Sequence, residues 1–222
     1  MKPYPDREDG KRVWLSQDEI EMVIDEAEDT EQEIAFKLGA QCGLRRKEIA
    51  RVRVKDIVTD EKGHYHLRVW EDYAKHDHYR EPPVPDSVAN KVEAMADFGD
   101  LDDNDQIIDY TDKTVYRWLM RATARLEAET GDEGWDRVDV HDLRRSWATH
   151  ILGQGVLPSV VMSWGGWKDW ETFRRHYLGE FSPEVLERER EKVEFYADGD
   201  PLDAQPTANT TVPTSGGHYA DD

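Results

Sequence analysis

The chain has 222 residues, with 49 acidic side chains against 29 basic ones and a formal charge of -20. That length suits one globular domain with a tail, and so acidic a balance argues, at first sight, against a nucleic-acid partner. No run approaches 18 apolar residues, the N-terminus is polar and Cys42 is the lone cysteine. These features argue against a membrane span and a signal peptide and exclude a disulfide framework and a multi-cysteine zinc site, and the expected compartment is the cytoplasm.

Ser16 and Glu19 have the spacing of a capping box, which predicts a helix to about Asp29. Ile34, Ala35, Leu38 and Cys42 recur at helical spacing up to Gly43, a natural left-handed stop, so Cys42 reads as core. A short helix is predicted from Arg46 to about Arg51. Residues 64–70 and 79–85 read as two strands of a hairpin, the second confined by its prolines to an edge or a short run. Asp86 or Ser87 caps a helix to about Ala96, and after an acidic loop a long helix runs from about Thr111 to Glu129. Further helices are predicted near 142–153, 158–164 and 169–177, and Ser182-Pro183 starts a last one to about Tyr196. From Asp198 onward the composition predicts disorder. The expected organisation is a polar segment over 1–13, a mainly α domain with one small antiparallel sheet over 14–197, and an acidic tail over 198–222.

Charge is unevenly distributed along this plan. Residues 1–33 hold 12 acids and 4 bases, residues 179–222 hold 11 and 3, and residues 34–178 hold 26 and 22. The acidity is peripheral, and the central bases cluster.

Three islands carry chemistry: Gly43-Leu44-Arg45 with Glu48, His141-Asp142-Leu143-Arg144-Arg145, and Gly165-Gly166-Trp167 followed by Tyr177. Each alone reads as a solvated turn, a capped helix start or core aromatics. In this order, with a lysine between the first two, they resemble the catalytic domain of the tyrosine recombinases (phage-type integrases). The first box resembles "GLR..E" through Gly43, Leu44, Arg45 and Glu48. The second resembles "HxLRxxxAT" through His141, Leu143, Arg144, Ala148 and Thr149. Residues 74–80, with Lys75 and Arg80 and then Val84-Pro85, resemble the family's lysine hairpin. The resemblance runs from about Leu15 to Tyr196.

The resemblance implies the tyrosine recombinase catalytic fold and strand cleavage by a tyrosine, leaving a 3′-phosphotyrosyl link. It gives the catalytic set as Arg45, Lys75, His141, Arg144, Trp167 and the nucleophile Tyr177. Arg45 and Arg144 offer planar, permanently charged forks to the non-bridging oxygens, and Lys75 protonates the leaving oxygen. His141 hydrogen-bonds the phosphate or moves a proton, and Trp167 packs and donates through its indole. No metal, cofactor or ATP is expected, because the phosphotyrosyl bond keeps the energy of the broken linkage.

The sequence departs from the family pattern in three places. The gap from Trp167 to Tyr177 is ten residues rather than nine, with His176 at the nine-residue position. Arg145 stands where the family often has His. The hairpin is rich in histidine (His64, His66, His76, His78), read as surface or DNA-facing groups rather than a metal site.

Arg46, Lys47, Arg80 and Arg145, with the stripe of Lys113, Arg117, Arg121 and Arg125 on the long helix, are the expected DNA contacts. The partner expected is double-stranded DNA, bound by a homo-oligomer. Only 13 residues precede Trp14, so the expectation is a catalytic domain standing alone or one whose clamp partner is another polypeptide. The alternatives are a type IB topoisomerase and a non-catalytic DNA-binding relative of an integrase. A charge of -20 on a DNA enzyme suggests a very salty cell interior, where a Debye length of about 3 Å at 1 M salt screens the acidic ends. The preference for arginine over lysine (18 against 11) fits a halophilic archaeal source.

Overall fold

The computed structural model describes residues 2–3, 13–71, 79–177 and 183–193. Within the first thirteen residues, read from sequence as a polar segment alone, β1 (Lys2–Pro3) pairs antiparallel with β2 (Val13–Trp14). Ser16 then caps α1 (Gln17–Asp25), its hydroxyl accepting from the Glu19 N–H at 3.2 Å while Glu19 accepts from the Ser16 N–H at 2.9 Å. This helix ends four residues before the expected Asp29, because Asp29 caps the next one and accepts from the Gln32 N–H at 2.8 Å. An acidic pair at Asp25 and Glu26 also opposes continuation, since carboxylates are unfavourable at the negative end of the helix dipole.

Helix α2 (Thr30–Cys42) stops at Gly43, whose φ of +68° is left-handed. A Cβ there would lie 2.3 Å from the Trp147 ring, so both the turn and the close packing require glycine. Helix α3 (Arg46–Ile49) follows at once.

The sheet differs from the predicted hairpin. β3 (Ile57–Thr59), which the sequence reading missed, pairs antiparallel with β4 (Tyr65–Leu67) in the register Ile57↔Leu67. Residues 79–85 lie on the other side of β4 as isolated bridges, Val69↔Arg80 and His66↔Pro83. Pro82, Pro83 and Pro85 have no N–H, which breaks the ladder into single contacts such as Val84 N–H to Tyr65 O at 2.9 Å.

The remaining helices are α4 (Asp86–Gly99), α5 (Asp112–Thr130), α6 (Val140–Gly153), α7 (Pro158–Gly165), α8 (Trp170–Tyr177) and α9 (Pro183–Glu191). The fold is thus mainly α with small antiparallel sheets. Helices α2 and α6 form the most extensive helix pair, and the main core gathers α1 to α6 around Phe36, Leu38, Leu119 and Leu143. A second, smaller cluster of Trp147, Ala148, Val161 and Phe173 joins α6, α7 and α8.

Leu15, fully buried, ties β2 to α6: its N–H donates to Ser146 Oγ at 2.7 Å and its carbonyl meets His150 Nε2 at 2.7 Å. The chain divides into two compact units, residues 1–179 and 180–222, with α9 in the second. Among the described residues no helix is long and apolar enough to cross a membrane.

Candidate active site

Arg45 precedes α3 and is held by the carboxylate three residues on. Its N–H donates to Glu48 Oε2 at 2.7 Å and its Nη1 to Glu48 Oε1 at 2.8 Å, while Nη2 donates to the Gly166 carbonyl at 3.1 Å. From α6, Arg144 is fully buried and donates to the carbonyls of Gly43 and Gly165. Its guanidinium carbon lies 3.9 Å from the centre of the Trp167 ring, and its Nε has no hydrogen-bond partner. Arg80 comes from the broken strand: its Nη2 donates to Glu48 Oε2 at 2.6 Å and its Nε to the Trp164 carbonyl at 2.9 Å.

The turn after α7 makes this convergence possible. A Cβ on Gly165 would fall 1.8 Å from the Trp167 ring, and Gly166, at φ +68°, lies where a Cβ would be 3.1 Å from Arg80 Cδ. The glycine pair lets two backbone carbonyls approach Arg45 and Arg144.

Glu48 is fully buried. Burial alone pushes its carboxyl up, but Arg80 first, then Arg45 and Arg144, outweigh that and hold it below its ordinary value. Arg144 is pulled well below the usual guanidinium range by burial and by repulsion from Arg45 and Arg80, with Glu48 and Tyr177 acting in the opposite sense.

Tyr177, half-buried at the end of α8, packs against this centre through aromatic rings. Trp167 stacks on Trp147 (6.3 Å, 11°) and meets Phe173 and Tyr177 edge-on, each at 5.2 Å. Phe173 lies 4.9 Å from Tyr177. Trp167 therefore lies between Arg144 and Tyr177, and across the ten-residue gap the tyrosine is within electrostatic range of Arg144. His141 is exposed in the first turn of α6. Lys75, with His76 and His78, lies outside the described residues.

The bases expected to face DNA divide into three groups. Lys47, Lys113, Arg117 and Arg121 are exposed, with Arg121 3.8 Å from Glu28. Lys47 and Arg51 line a cleft of about 480 Å³ with Tyr110 and Thr111. Arg46 and Arg125 are partly engaged: Arg46 Nε donates to Asp112 at 3.0 Å, and Arg125 binds Glu26 and, at 2.7 Å, Glu28.

Arg80 and Arg145 correct the surface reading, being 5% and 8% exposed. Arg80 points inward because strand alternation puts it on the same face as buried Pro82 and Val84. Arg145 turns in to meet Asp142 at 2.5 Å, and burial still pushes that carboxyl up to about 6. Asp60 gathers His64 and His66 at 3.4 and 3.3 Å, but among the described residues no cluster of three or more His, Cys, Asp or Glu is placed to hold a metal ion.

Two residues with a structural claim on the site were missed as such from sequence. Glu48 was legible as part of the first box but not as the carboxylate joining Arg45 to Arg80. Arg80 was read as a DNA contact; the signal that could have found its inward turn is the period of two over Arg80, Pro82 and Val84, which marks an inner face. Together the groups form a positively charged centre, suited to an anion, beside the Tyr177 ring cluster.

Comparison with known proteins agrees with this geometry. The chain is 29% identical over 158 residues to a "Tyrosine recombinase" of Thermosipho africanus (strain TCF52B), a match covering 67% of this chain and 50% of that protein. The chain thus spans about half the length of this curated relative. Among solved structures, XerA recombinase superposes with a TM-score of 0.63 at 19% identity, over 85% of this chain and 66% of that one. The catalytic domain of bacteriophage HP1 integrase gives 0.57 at 16% identity, over 79% of this chain and 92% of that one. At these identities the structural likeness concerns the fold. Residues 13–182 match the model of the phage integrase family, and with the arginine, tryptophan and tyrosine boxes converging as they do, the chain belongs to that family.

Proposed function

We propose that this chain is the catalytic part of a site-specific DNA recombinase, cleaving and rejoining double-stranded DNA through Tyr177. The observation that carries this reading is a charge imbalance. Arg45 and Arg80 both bind the single buried carboxylate of Glu48, and Arg144 lies within electrostatic reach of all three. The formal surplus is two positive charges. A phosphodiester supplies one negative charge and gains a second during in-line displacement, so the centre suits the transition state better than the ground state.

In this scheme the Tyr177 hydroxyl releases its proton, to His141 or to water, as its oxygen attacks phosphorus; the bond to the 5′ oxygen breaks, and the 3′ phosphate remains on the tyrosine. Arg45 and Arg144 hold the non-bridging oxygens, and His141, at the exposed edge of α6, hydrogen-bonds the same phosphate or moves a proton. Lys75 gives its proton to the departing 5′ oxygen, a role that rests on the sequence resemblance. Attack by a 5′ hydroxyl reverses the step without ATP. Joining two sites calls for several copies of the chain on DNA, with the duplex gripped from its other side by a further domain.

The surplus acid lies outside this centre. Asp97, Asp100, Asp102, Asp103 and Asp105 are exposed on and after α4, whereas Arg80, Arg144 and Arg145 are buried. This partition supports work in concentrated salt, where distant carboxylates repel DNA little. Activity and folding should both rise toward molar KCl, and unfolding there would overturn the assignment.

Incubation with nicked duplexes of randomised sequence, followed by denaturation and recovery of protein-bound strands, tests the reaction. The expected result is covalent adducts from a restricted set of sequences. Sequence-independent adducts with relaxation of a supercoiled plasmid would identify a topoisomerase. Retention on DNA without any adduct would identify a binding protein.

A further inference from the structure

We infer that Arg80 is a positioning residue for the cleavage step, acting through Glu48 and the 164–166 turn to aim Arg45; the inference rests on the recombinase reading above. Arg80 does not contact the reacting phosphate in this scheme. It joins three segments that the chain brings from far apart.

Its backbone is fixed by the bridge to Val69, with N–H to O distances of 2.9 and 3.2 Å in the two directions. Its Nη2 donates to the Glu48 oxygen that also accepts the Arg45 N–H, and its Nε donates to the Trp164 carbonyl at 2.9 Å. Its aliphatic stem lies against Gly166, the residue whose carbonyl receives Arg45 Nη2. Arg45 is thus held at two points, a carboxylate and a carbonyl, and Arg80 touches the support of both.

Two physical consequences follow. A buried carboxylate facing Arg45 alone would draw that fork into full pairing and take it from a phosphate; Arg80 shares Glu48 and leaves Arg45 with hydrogen-bonding capacity. The planar guanidinium can also serve Glu48 and the Trp164 carbonyl in diverging directions, which a lysine ammonium does with poorer geometry. Arg80 follows Lys75 by five residues, so it has a competing role as the anchor of the lysine segment. The test must separate the two.

The duplexes recovered by adduct trapping are prepared with either oxygen or sulfur as the 5′ bridging atom. When the P–S bond breaks, a thiolate leaves without needing a proton, so the sulfur substrate bypasses the general acid. Arg80→Gln should slow adduct formation about 100-fold, the scale of a catalytic group displaced by about 1 Å, and equally on both substrates. Lys75→Ala should be slow on oxygen and restored by sulfur. Arg80→Lys should recover part of the rate. Adding Glu48→Gln to Arg80→Gln should cost no more than the slower single change, because both act on one unit.

Restoration of Arg80→Gln by sulfur would overturn the inference in favour of the lysine anchor. A loss matched by an equal fall in DNA affinity, or accounted for by the unfolded fraction in a thermal melt, would overturn it too. Unchanged cleavage by Arg80→Gln and Arg80→Lys would sink this inference alone, whereas a wild type forming no adduct on any duplex would sink the recombinase reading itself.

Discussion

Glu48 and Asp142 are built alike. Each is at most 2% exposed, stands at the third position of its helix, and accepts from the N–H three residues back, Arg45 at 2.7 Å and Asp139 at 2.9 Å. What differs is the number of cations. Glu48 binds Arg45 and Arg80 with Arg144 in reach, while Asp142 binds Arg145 and is repelled by Asp139. Their carboxyls accordingly shift in opposite directions, Glu48 below its ordinary value and Asp142 up to about 6, chiefly through burial. One guanidinium fails to offset burial and several succeed. The Asp142 pair is close to neutral and complete, whereas the Glu48 centre holds positive charge still to be met by an anion.

The strongest way to break this contrast is to remove the carboxylate that organises the centre. Glu48→Ala leaves buried guanidinium groups facing one another and should destabilise the protein by about 3 to 5 kcal/mol, read from urea unfolding. Arg144→Ala should next lower adduct formation by about 100- to 1,000-fold while most DNA affinity remains. Equal losses of binding and cleavage would make Arg144 an anchor rather than a transition-state group.

The opposite shifts also predict opposite pH dependences. Glu48, lowered when folded, contributes stability that is complete above its ordinary value of 4.5 and is lost as pH falls. Asp142, raised from 3.8 to about 6, contributes stability that is complete below pH 3.8 and is lost as pH rises through about 6. Asp142→Asn should therefore flatten the stability profile across that window, by on the order of 3 kcal/mol between its ends. An unchanged profile would show that Arg145 already compensates Asp142.

The smallest effects belong to α5. Arg125→Ala should cost at most about 1 kcal/mol of stability, since its partners are surface carboxylates. It should leave the salt dependence of DNA binding unchanged, because Glu26 and Glu28 already occupy that arginine. Arg117→Ala, at an exposed position, should reduce the slope of log affinity against log salt by about one.

Sequence reading recovered what is encoded locally. The Ser16 box, the Gly43 stop and the Thr111 cap of the longest helix depend on neighbours within one turn, and the structure places these three as expected. By contrast, α4 follows Pro85 without a side-chain cap, and α6 starts two residues before the expected 142, behind Asp139. The family boxes were legible because the order and spacing of Arg45, His141, Arg144, Trp167 and Tyr177 carry the resemblance by themselves. Strand β3 was missed because Ile57 and Val58 are too short an apolar run to signal a strand among Asp, Glu and Lys. The inward turn of Arg80 was missed for a different reason: its partners Glu48 and Trp164 lie 32 and 84 residues away. A count of basic residues cannot tell an arginine that faces solvent from one that holds a buried carboxylate, and only the alternation along 80–84 hinted at it.

The central claim is that Tyr177 attacks DNA beside the Arg45–Glu48–Arg80–Arg144 centre, and the position of the covalent bond tests it most directly. Adducts trapped on nicked duplex, digested with protease and nuclease and analysed by mass spectrometry, should carry the residual nucleotide on the peptide containing Tyr177. The Tyr177→Phe protein should give no adduct while still binding the duplex. A nucleotide on Tyr196 or Tyr219, or an adduct persisting in the Phe variant, would contradict the account.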